Sequence, residues 1–338
     1  MRRRIGIDVG GTNTDAVLLE DGDVRAAVKT PTTADVTTGI TTALGELVRQ
    51  APEARTATAV MIGTTHFTNA VVQRRDLGRV AAVRIGLPSG ASLPPFVDWP
   101  ADLAEMVRGE VVMLEGGHEF DGRPLVPFDT KGMREAARRF RDGGVTSVAV
   151  ASVFSPLNAS CEDEAGAILH EECPGVAVTL SHRLGRIGLL ERENATLLNA
   201  CLIDLARRTT RAFTDALRAS GIGSPLYLTQ NDGTVMLAEI AETYPVYSFA
   251  SGPTNSMRGA AFLSKRDEAL VIDVGGTTTD VGSLRHGFPR EANNVVEIGG
   301  VRTLFRMPDL LSLGLGGGTL VRRDPLTIGP TSVGYRLT

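Results

Sequence analysis

Apolar and polar residues alternate along the chain with two different periods, and together these periods predict a mixed α/β fold. Three short strands are expected first, at Arg4–Val9, Ala16–Glu20 and Val24–Lys29. Apolar residues share one helix face at about residues 35–50, 131–142, 158–172 and 191–219. Further strands are predicted at residues 57–62, 147–153, 176–180 and 226–229. Because the later strands follow crossover helices, they are expected to form a parallel sheet.

The segment from residue 78 to about residue 125 follows neither period. Glycine, proline and the single tryptophan, Trp99, cluster within residues 86–100. We expect a loop-rich segment here, either an insertion near the substrate region or an irregular excursion over the surface.

An eight-residue motif occurs twice, more than two hundred residues apart. Residues 8–15 and residues 273–280 are identical except that Asn13 is replaced by Thr278. Two glycines after a strand allow a sharp turn and bring backbone N–H groups close to an anion, and the threonine hydroxyls add further donors. One copy alone is also typical of an ordinary tight hairpin. The repetition favours two phosphate-binding hairpins, with contacts from Gly10, Gly11, Thr12, Asn13 and Thr14 and from Gly275, Gly276, Thr277, Thr278 and Thr279.

Each motif begins and ends with a carboxylate. Asp8 and Asp273 would repel a phosphate, so we expect them to hold a hydrated Mg²⁺ that bridges the phosphates. Asp15 and Asp280 are expected to orient the hairpins or the attacking group, or only to cap the turns. The motif is neither a Walker P-loop nor a Rossmann fingerprint.

A Gly-Thr-Thr turn at residues 63–65 is predicted to open a helix. Its free backbone N–H groups and hydroxyls suit a carboxylate or a phosphate. The expected substrate contacts are Gly63, Thr64, Thr65 and Asn69. His66 is a candidate acid, base or metal ligand, although a histidine at a helix start is also often a hydrogen-bonded structural residue.

Three later segments are further candidates. Glu191 and Arg192 start the longest predicted helix, as an ion pair at a substrate cleft or as a solvated helix start. Ser251–Ser256 is predicted to be a helix start that faces a nucleotide. The run Gly316, Gly317 and Gly318 indicates close passage of the backbone over a flat ligand such as adenosine, or a flexible loop.

Composition excludes several classes of protein. The 338 residues carry a formal net charge of −4, which gives no reason to expect nucleic acid or an anionic membrane as a partner. No apolar run is long enough to span a membrane. The three cysteines lack C-x-x-C spacing, which argues against a disulfide framework or a structural zinc site and predicts a cytoplasmic location.

Taken in order, the motifs resemble those of the A-type members of the hydantoinase/oxoprolinase family, within the actin, Hsp70 and sugar-kinase ATPase superfamily. They span nearly the whole chain and lie at Asp8–Asp15, Gly63–Ala70, Glu191–Arg192, Leu198–Ala200, Gln230–Gly233, Ser251–Pro253, Asp273–Asp280, Gly316–Thr319 and Gly329–Gly334. One departure concerns the histidine that usually precedes the Gly-Thr-Thr turn. This chain has Ile62 there, and His66 inside the segment, so the role of His66 stays open.

The resemblance implies an α/β, actin-like (ribonuclease H-like) ATPase fold with two lobes around a nucleotide cleft. Residues 1–269 would form the first lobe and residues 270–338 the start of a second lobe. That second lobe is expected to be truncated, because family members continue well past this point. ATP and Mg²⁺ are the implied cofactors.

The implied activity is ATP-dependent hydrolysis by one component of a multi-component enzyme. The chain would phosphorylate the carbonyl oxygen of a cyclic amide, such as a hydantoin, 5-oxoproline or another lactam, before the ring opens. A B-type subunit is the implied partner, and a homo-oligomer is possible. The alternatives are a kinase of a small metabolite, a subunit of an ATP-dependent carboxylase, and a nucleotide-binding subunit without catalytic activity.

Overall fold

The computed structural model describes residues 2–10, 13–31, 36–292, 295–304 and 306–333. Its helices, numbered in chain order, are α1 Val36–Gln50, α2 His66–Gln73, α3 Ala101–Val107, α4 Thr130–Asp142, α5 Ser160–Glu172, α6 Leu189–Ala219, α7 Ala238–Thr243 and α8 Ser251–Ser264. Short 3₁₀ turns lie at Pro52–Thr56, Ser181–Arg183 and Pro245–Ser248.

The strands of the first half are β1 Arg3–Val9, β2 Asn13–Glu20, β3 Asp23–Pro31, β4 Ala59–Thr64, β5 Val80–Leu87, β6 Arg108–Glu115, β7 Ser147–Ser152, β8 Ala177–Leu180, β9 Leu226–Thr229 and β10 Val235–Leu237. Those of the second half are β11 Ala269–Val274, β12 Thr279–Arg285, β13 Phe288–Pro289, β14 Val296–Ile298, β15 Val301–Thr303, β16 Leu310–Leu313, β17 Thr319–Arg323 and β18 Leu326–Ser332. The predicted early strands and the four long helices are therefore confirmed, with ends shifted by a few residues.

The first sheet has the strand order β10-β9-β4-β1-β2-β3. β1, β2 and β3 form an antiparallel meander, whereas β4 runs parallel to β1 and β9 runs parallel to β4. One face of β1 and β2 is buried through alternate residues such as Ile5, Ile7 and Leu18, as the period of a half-buried strand requires. The other face carries Gly6 and Asp8 and is more open.

The second sheet has the order β6-β5-β7-β8, and all its pairs are parallel. The parallel pairing predicted for the strands at residues 147–153 and 176–180 is thereby confirmed. The second sheet also corrects the prediction of a loop-rich segment at residues 78–125, because β5, α3 and β6 lie within that segment. β5 is buried along almost its whole length, and a strand buried on both faces has no polar alternation by which the sequence could reveal it. Whether the segment is an insertion, and where the lobe boundary falls, stay predictions.

Helix α6 lies between these two sheets. It packs against β7 and β8 of the second sheet and against α1, which in turn covers β2 and β3 of the first sheet. Leu197, Leu198 and Leu202 have no exposed surface. A helix that is apolar around most of its circumference is buried on most sides, and α6 is the central layer of this part of the protein.

A third sheet begins after α8 and contains β11, β12, β13 and β16. Helix α8 joins it to the first sheet, since α8 packs against β4 and also against β11 and β12. Leu270, Ile272 and Val274 lie on one face of β11 with 68%, 58% and 68% of their surfaces exposed. Among the described residues, β11 pairs only with β12, so its other edge is unpaired.

One ion pair fastens α6 to the second sheet. Arg84 on β5 is 0% exposed and Glu193 on α6 is 3% exposed. The Arg84 Nε donates to Glu193 Oε1 over 2.6 Å, and its Nη1 donates to the carbonyl of Leu93 over 3.1 Å. Burial raises the pKa of Glu193, and the hydrogen bonds from Arg84 act in the opposite direction. The Arg84 guanidinium and the Glu193 carboxylate are both shielded from water, so each charge is compensated by the other.

Replacing Arg84 by methionine should lower the free energy of unfolding by about 3–5 kcal/mol, because it leaves the Glu193 carboxylate buried without its partner. Urea unfolding followed by circular dichroism measures this difference. Arg49→Met is the matched control, since Arg49 and Glu46 form an exposed pair and its loss should cost less than about 0.5 kcal/mol. Equal losses in the two variants would contradict the role assigned to Arg84.

Candidate functional site

The two repeated motifs form hairpins with the same register. In the first, Asp8 lies opposite Asp15, and the Gly10 N–H donates to the Asn13 carbonyl over 3.0 Å. In the second, Asp273 lies opposite Asp280, and the Gly275 N–H donates to the Thr278 carbonyl over 2.8 Å. Gly11 and Thr12 lie outside the described residues. The two predicted turns are thus matched in their described parts, although each places two carboxylates directly across a strand pair, which is normally destabilising.

Both hairpins line one cavity of ≈ 800 Å³. The first sheet contributes Asp8, Gly10, Asn13, Asp15 and Lys29, and the third sheet contributes Asp273, Gly275, Gly276, Thr277, Thr278, Asp280 and Ser312. The fold therefore brings the four aspartates predicted from the sequence to the same cavity. We call this cavity the hairpin cleft.

The hydroxyls of Thr14 and Thr279 are placed differently from the prediction. Thr14 is completely buried, and Thr279 donates through Oγ1 to the Leu315 carbonyl over 2.6 Å. Successive side chains on a strand point to opposite faces, so a threonine next to a cleft-facing aspartate points inward. Neither residue lines the hairpin cleft, and this corrects their assignment as phosphate contacts.

Burial and repulsion between carboxylates together determine the electrostatics of the hairpin cleft. Burial raises the pKa of Asp8 to about 6, and Asp15 and Asp273 act in the same direction. Asp8 nevertheless keeps an exposed face towards the cleft, so solvent moderates this repulsion. The Lys29 ammonium lies 3.5 Å from Asp15 Oδ1 and supplies a positive charge at the cleft wall.

The donor set suits a hydrated Mg²⁺ rather than a metal enclosed by protein. Within the described ranges, no three His, Cys, Asp or Glu side chains are grouped so that they could hold a metal ion by themselves. Mg²⁺ is commonly held by one or two carboxylates together with waters and phosphate oxygens. Asp8 and Asp273, whose charges interact, match that requirement, and a divalent cation between them would relieve the repulsion.

Two helix starts also face the hairpin cleft. Thr65, Thr68 and Asn69 from the start of α2 line it, as do Gly252, Pro253 and Ser256 from the start of α8. The first N–H groups of a helix have no partner within the helix and suit an anion. The predicted contacts Thr65 and Asn69 are thus at the cleft, and Asn69 Nδ2 donates to Thr65 Oγ1 over 3.1 Å.

Gly63 and Thr64 shape the wall behind the cleft. A Cβ on Gly63 would lie 1.9 Å from Asn255 Nδ2 and 3.1 Å from Asp8 Oδ1, so the glycine allows Asn255 to approach Asp8. Thr64 is buried, and Ser251 Oγ bonds to both its N–H and its carbonyl. Neither residue lines the hairpin cleft, but Gly63 lines a neighbouring cavity together with Asp8 and Asp15. Substrate contact by Gly63 and Thr64 stays a prediction.

His66 lies outside the hairpin cleft. Burial lowers the pKa of its imidazole, and the charged groups that influence it are Asp76 and Arg208, not the hairpin aspartates. Its ring centroid is 6.1 Å from that of Phe67. The structure therefore does not bring His66 together with the hairpin aspartates, and its catalytic role stays a prediction.

Glu191 and Arg192 also lie away from the hairpin cleft. Arg192 is completely buried, and its guanidinium donates to Ser181 Oγ over 2.8 Å and to the Ile187 carbonyl over 2.8 Å. Glu191 accepts from Arg302 over 3.0 Å. A guanidinium occupied by internal acceptors cannot bind a substrate, so the predicted substrate contact at Arg192 is corrected to a structural role.

Gly316, Gly317 and Gly318 pack directly against the backbone of the second hairpin. The sequence predicted either contact with a flat ligand or a flexible loop. Gly317 N–H donates to the Gly275 carbonyl over 3.0 Å, and Gly318 N–H donates to the Gly276 carbonyl over 2.7 Å. A Cβ on Gly316 would lie 2.6 Å from the Gly275 carbonyl oxygen. The run therefore supports the second hairpin, and contact with adenosine stays a prediction.

The matched hairpins and the shared cleft define the class of the fold, which is that of the actin-like ATPases. The chain belongs to the hydantoinase/oxoprolinase family. Residues 4–173 match the family model described as the hydantoinase/oxoprolinase N-terminal region, and residues 192–337 match the model described as hydantoinase/oxoprolinase.

Curated relatives match almost the entire chain. The gamma subunit of the acetophenone carboxylase of Aromatoleum aromaticum is 27% identical over 98% of this chain and 49% of its own length. The alpha subunit of the caprolactamase of Pseudomonas jessenii is 25% identical over 98% of this chain and 51% of its own length. The chain thus spans about half the length of these relatives.

A solved structure shows the same fold. The crystal structure of the ATP-dependent caprolactamase from Pseudomonas jessenii superposes with a TM-score of 0.80 at 24% identity, covering 98% of this chain and 51% of that chain. None of the helices in the described ranges is both long and apolar enough to cross a membrane.

The raised pKa of Asp8 predicts how stability depends on pH in the absence of nucleotide and divalent cations. The folded-state pKa is about 6, above the ordinary 3.8, so the folded protein holds this proton more tightly. The tighter proton binding stabilises the folded state. This stabilisation is complete below pH 3.8 and is lost as the pH rises through about 6. Compared with Asp8→Asn, the unsubstituted protein should lose on the order of 1 kcal/mol between pH 4 and 7, allowing for the solvent exposure of Asp8.

Urea unfolding at each pH measures this difference. Asp204→Asn is the control, because Asp204 is exposed on α6 and is not among the charges that shift the pKa of Asp8. An Asp8→Asn variant that follows the same pH dependence as the control would contradict the repulsion described for the cleft.

Proposed function

We propose that this chain is an ATP-dependent subunit that activates a carbonyl compound, with a cyclic amide as the substrate class. The observation that carries the proposal is the pair of matched hairpins, each with two aspartates, facing one cleft. The description of the structurally related caprolactamase as ATP-dependent supports ATP use, and the name of the caprolactamase relative supports a lactam as substrate.

The proposed reaction overcomes the low reactivity of the amide carbonyl. The carbonyl oxygen attacks the γ-phosphorus of ATP, the bond from that phosphorus to the β,γ-bridging oxygen breaks, and ADP leaves. Water then adds to the activated carbon, and the C–N bond breaks, so that the ring opens to an acyl phosphate and an amine. A second water hydrolyses the acyl phosphate to a carboxylate and inorganic phosphate. Phosphoryl transfer depends mainly on positioning and on neutralising charge.

The residues of the hairpin cleft divide into three roles in this proposal. Asp8 and Asp273 would hold hydrated Mg²⁺, which neutralises phosphate charge when it is bound. The Gly276 amide of the second hairpin, together with the start of α8, would bind phosphate oxygens. The Gly10 and Gly275 amides close their turns by donating to Asn13 and Thr278. Lys29, held 3.5 Å from Asp15, would contact phosphate and keep Asp15 oriented.

A carboxylase component is the second candidate, and the acetophenone carboxylase relative favours it. The first half-reaction would be the same transfer to a carbonyl oxygen, with bicarbonate as the co-substrate. In both cases the relatives are named as subunits, so we propose that the chain works with a second type of subunit, of which the B-type is the family example.

ATP hydrolysis should be measured with and without the partner protein, across hydantoin, 5-oxoproline, caprolactam, and ketones with bicarbonate. ADP release equal to ring opening, one for one, would support the cyclic-amide proposal. Stimulation only by a ketone with bicarbonate would support the carboxylase. A stable phosphorylated product would indicate a kinase, and ATP binding without stimulation would indicate a non-catalytic role.

Asp8→Ala and Asp273→Ala should each lower kcat for Mg·ATP turnover by about 10²-fold or more. Each substitution removes a carboxylate that would hold the Mg²⁺, and the Mg²⁺ neutralises the charge of the phosphates. Steady-state ADP release measures kcat, and circular dichroism checks the fold. Asp204→Ala is the control and should keep full turnover. Turnover retained in either hairpin variant would remove the metal role assigned to that aspartate.

Lys29→Met should weaken Mg·ATP binding about tenfold, as expected when one hydrogen bond to a charged group is lost. Isothermal titration calorimetry measures the Kd. Lys131→Met is the matched control, since Lys131 is an exposed lysine on α4 with one distant partner, Glu135, at 3.9 Å. Unchanged affinity in Lys29→Met would show that Lys29 has no contact with the nucleotide.

A further inference from the structure

A second cavity, of ≈ 360 Å³, lies where strands of two different sheets end. The loop after β8 supplies Arg183, Leu184 and Arg186, and the turn after β9 supplies Gln230 and Asp232. Ligands of open α/β sheets bind beyond the carboxyl ends of parallel strands, where loops from neighbouring strands separate. We call this cavity the arginine pocket. The turn after β9 is the Gln230–Gly233 motif of the sequence, and neither Gln230 nor Asp232 lines the hairpin cleft.

The charge of the arginine pocket is predominantly positive. Its lining includes Arg183, Arg186 and Arg306 but only one carboxylate, that of Asp232. Arg306 lies 3.9 Å from Asp232. In the part of the chain that the structure describes, the guanidinium groups of Arg183 and Arg186 have neither a hydrogen bond nor an ion pair. Two cations at the rim of a cavity therefore lack a counter-charge from the protein.

The walls of the pocket are held by internal contacts. The Tyr247 hydroxyl donates to the Arg183 carbonyl over 2.8 Å, which fixes the backbone that carries this arginine. A Cβ on Gly185 would lie 2.8 Å from Arg192 Cγ and 3.1 Å from the Leu304 carbonyl oxygen, so the loop passes too close to α6 for any side chain. The loop of residues 183–186 therefore packs directly on the side chain of buried Arg192.

The pocket also contacts the wall of the hairpin cleft. Asn231 is buried between the two cavities, and its Oδ1 accepts from the Ala250 N–H over 2.8 Å. Ala250 lines the hairpin cleft, whereas Asn231 lines the arginine pocket. Arg306 and Met307, adjacent in the chain, line the pocket and the cleft respectively.

We propose that the arginine pocket binds a small organic carboxylate. Planar guanidinium groups pair with carboxylates through two parallel hydrogen bonds, and Arg183 and Arg186 have these donors available. Leu184, Leu304 and Tyr247 supply apolar surface for the body of the ligand, and the cavity volume is at the lower end of the range for small-molecule sites. This site is separate from the nucleotide contacts proposed above and does not require them.

The test is calorimetric titration of the full chain at low ionic strength with 5-oxoproline, malonate, the neutral amide of 5-oxoproline and inorganic phosphate. The two carboxylates should bind, and the neutral amide should bind at least tenfold more weakly. The double variant Arg183→Gln/Arg186→Gln should weaken carboxylate binding tenfold or more. Arg211→Gln is the control, because Arg211 is an exposed arginine on α6 away from the pocket, and it should change nothing.

The proposal would be overturned by any of these results: no carboxylate binding, unchanged affinity in Arg183→Gln/Arg186→Gln, equal weakening by the control variant, or phosphate binding tighter than either carboxylate. Asp8→Ala separates this proposal from the proposed function. If the pocket is independent, Asp8→Ala keeps carboxylate binding while losing Mg·ATP turnover. Loss of carboxylate binding in Asp8→Ala would place the anion in the hairpin cleft instead.

Discussion

Repulsion between carboxylates is the constraint on which the site depends. Asp8 faces Asp15 across one hairpin and Asp273 faces Asp280 across the other, and the two pairs share a cleft. The apolar side chains on the opposite face of β1 and β2 hold the first hairpin in this register, because a slip by one residue would move them into solvent. A cation in the cleft would be attracted by all of these carboxylates and would cancel their mutual repulsion. Carboxylates that face each other across a strand pair destabilise the sheet by themselves, but they would favour binding of such a cation.

The repeated motif, the early meander and the helices could be predicted because their signals are local. A glycine pair after an apolar strand specifies a turn, and apolar residues at helical spacing specify a buried face. The four aspartates were therefore expected beside two turns, and the structure places them on the paired strands next to those turns, at one cavity. The orientation of each threonine also follows from alternation along a strand, although the prediction did not apply that rule to Thr14 and Thr279.

Other features depend on contacts that no local pattern reveals. Counting back from the turn at residues 21–23 would place Val28 opposite Asp15, but a shift in register between Leu18 and Leu19 places Lys29 there. Arg192 was expected at a substrate cleft or at a solvated helix start, yet tertiary packing buries it among internal acceptors. β5 was missed because a strand covered on both faces resembles an unpatterned apolar segment.

Strand β11 joins an edge that can accept another strand to the second hairpin. It carries the second hairpin at its end, and along the same strand Leu270, Ile272 and Val274 face outward. With one edge unpaired in the described part of the chain, β11 combines free backbone donors and acceptors with an apolar face, which is a template for adding a strand from another molecule. A strand added at this edge would lie beside the second hairpin, so the pairing of β11 and the position of Asp273 are linked through one strand.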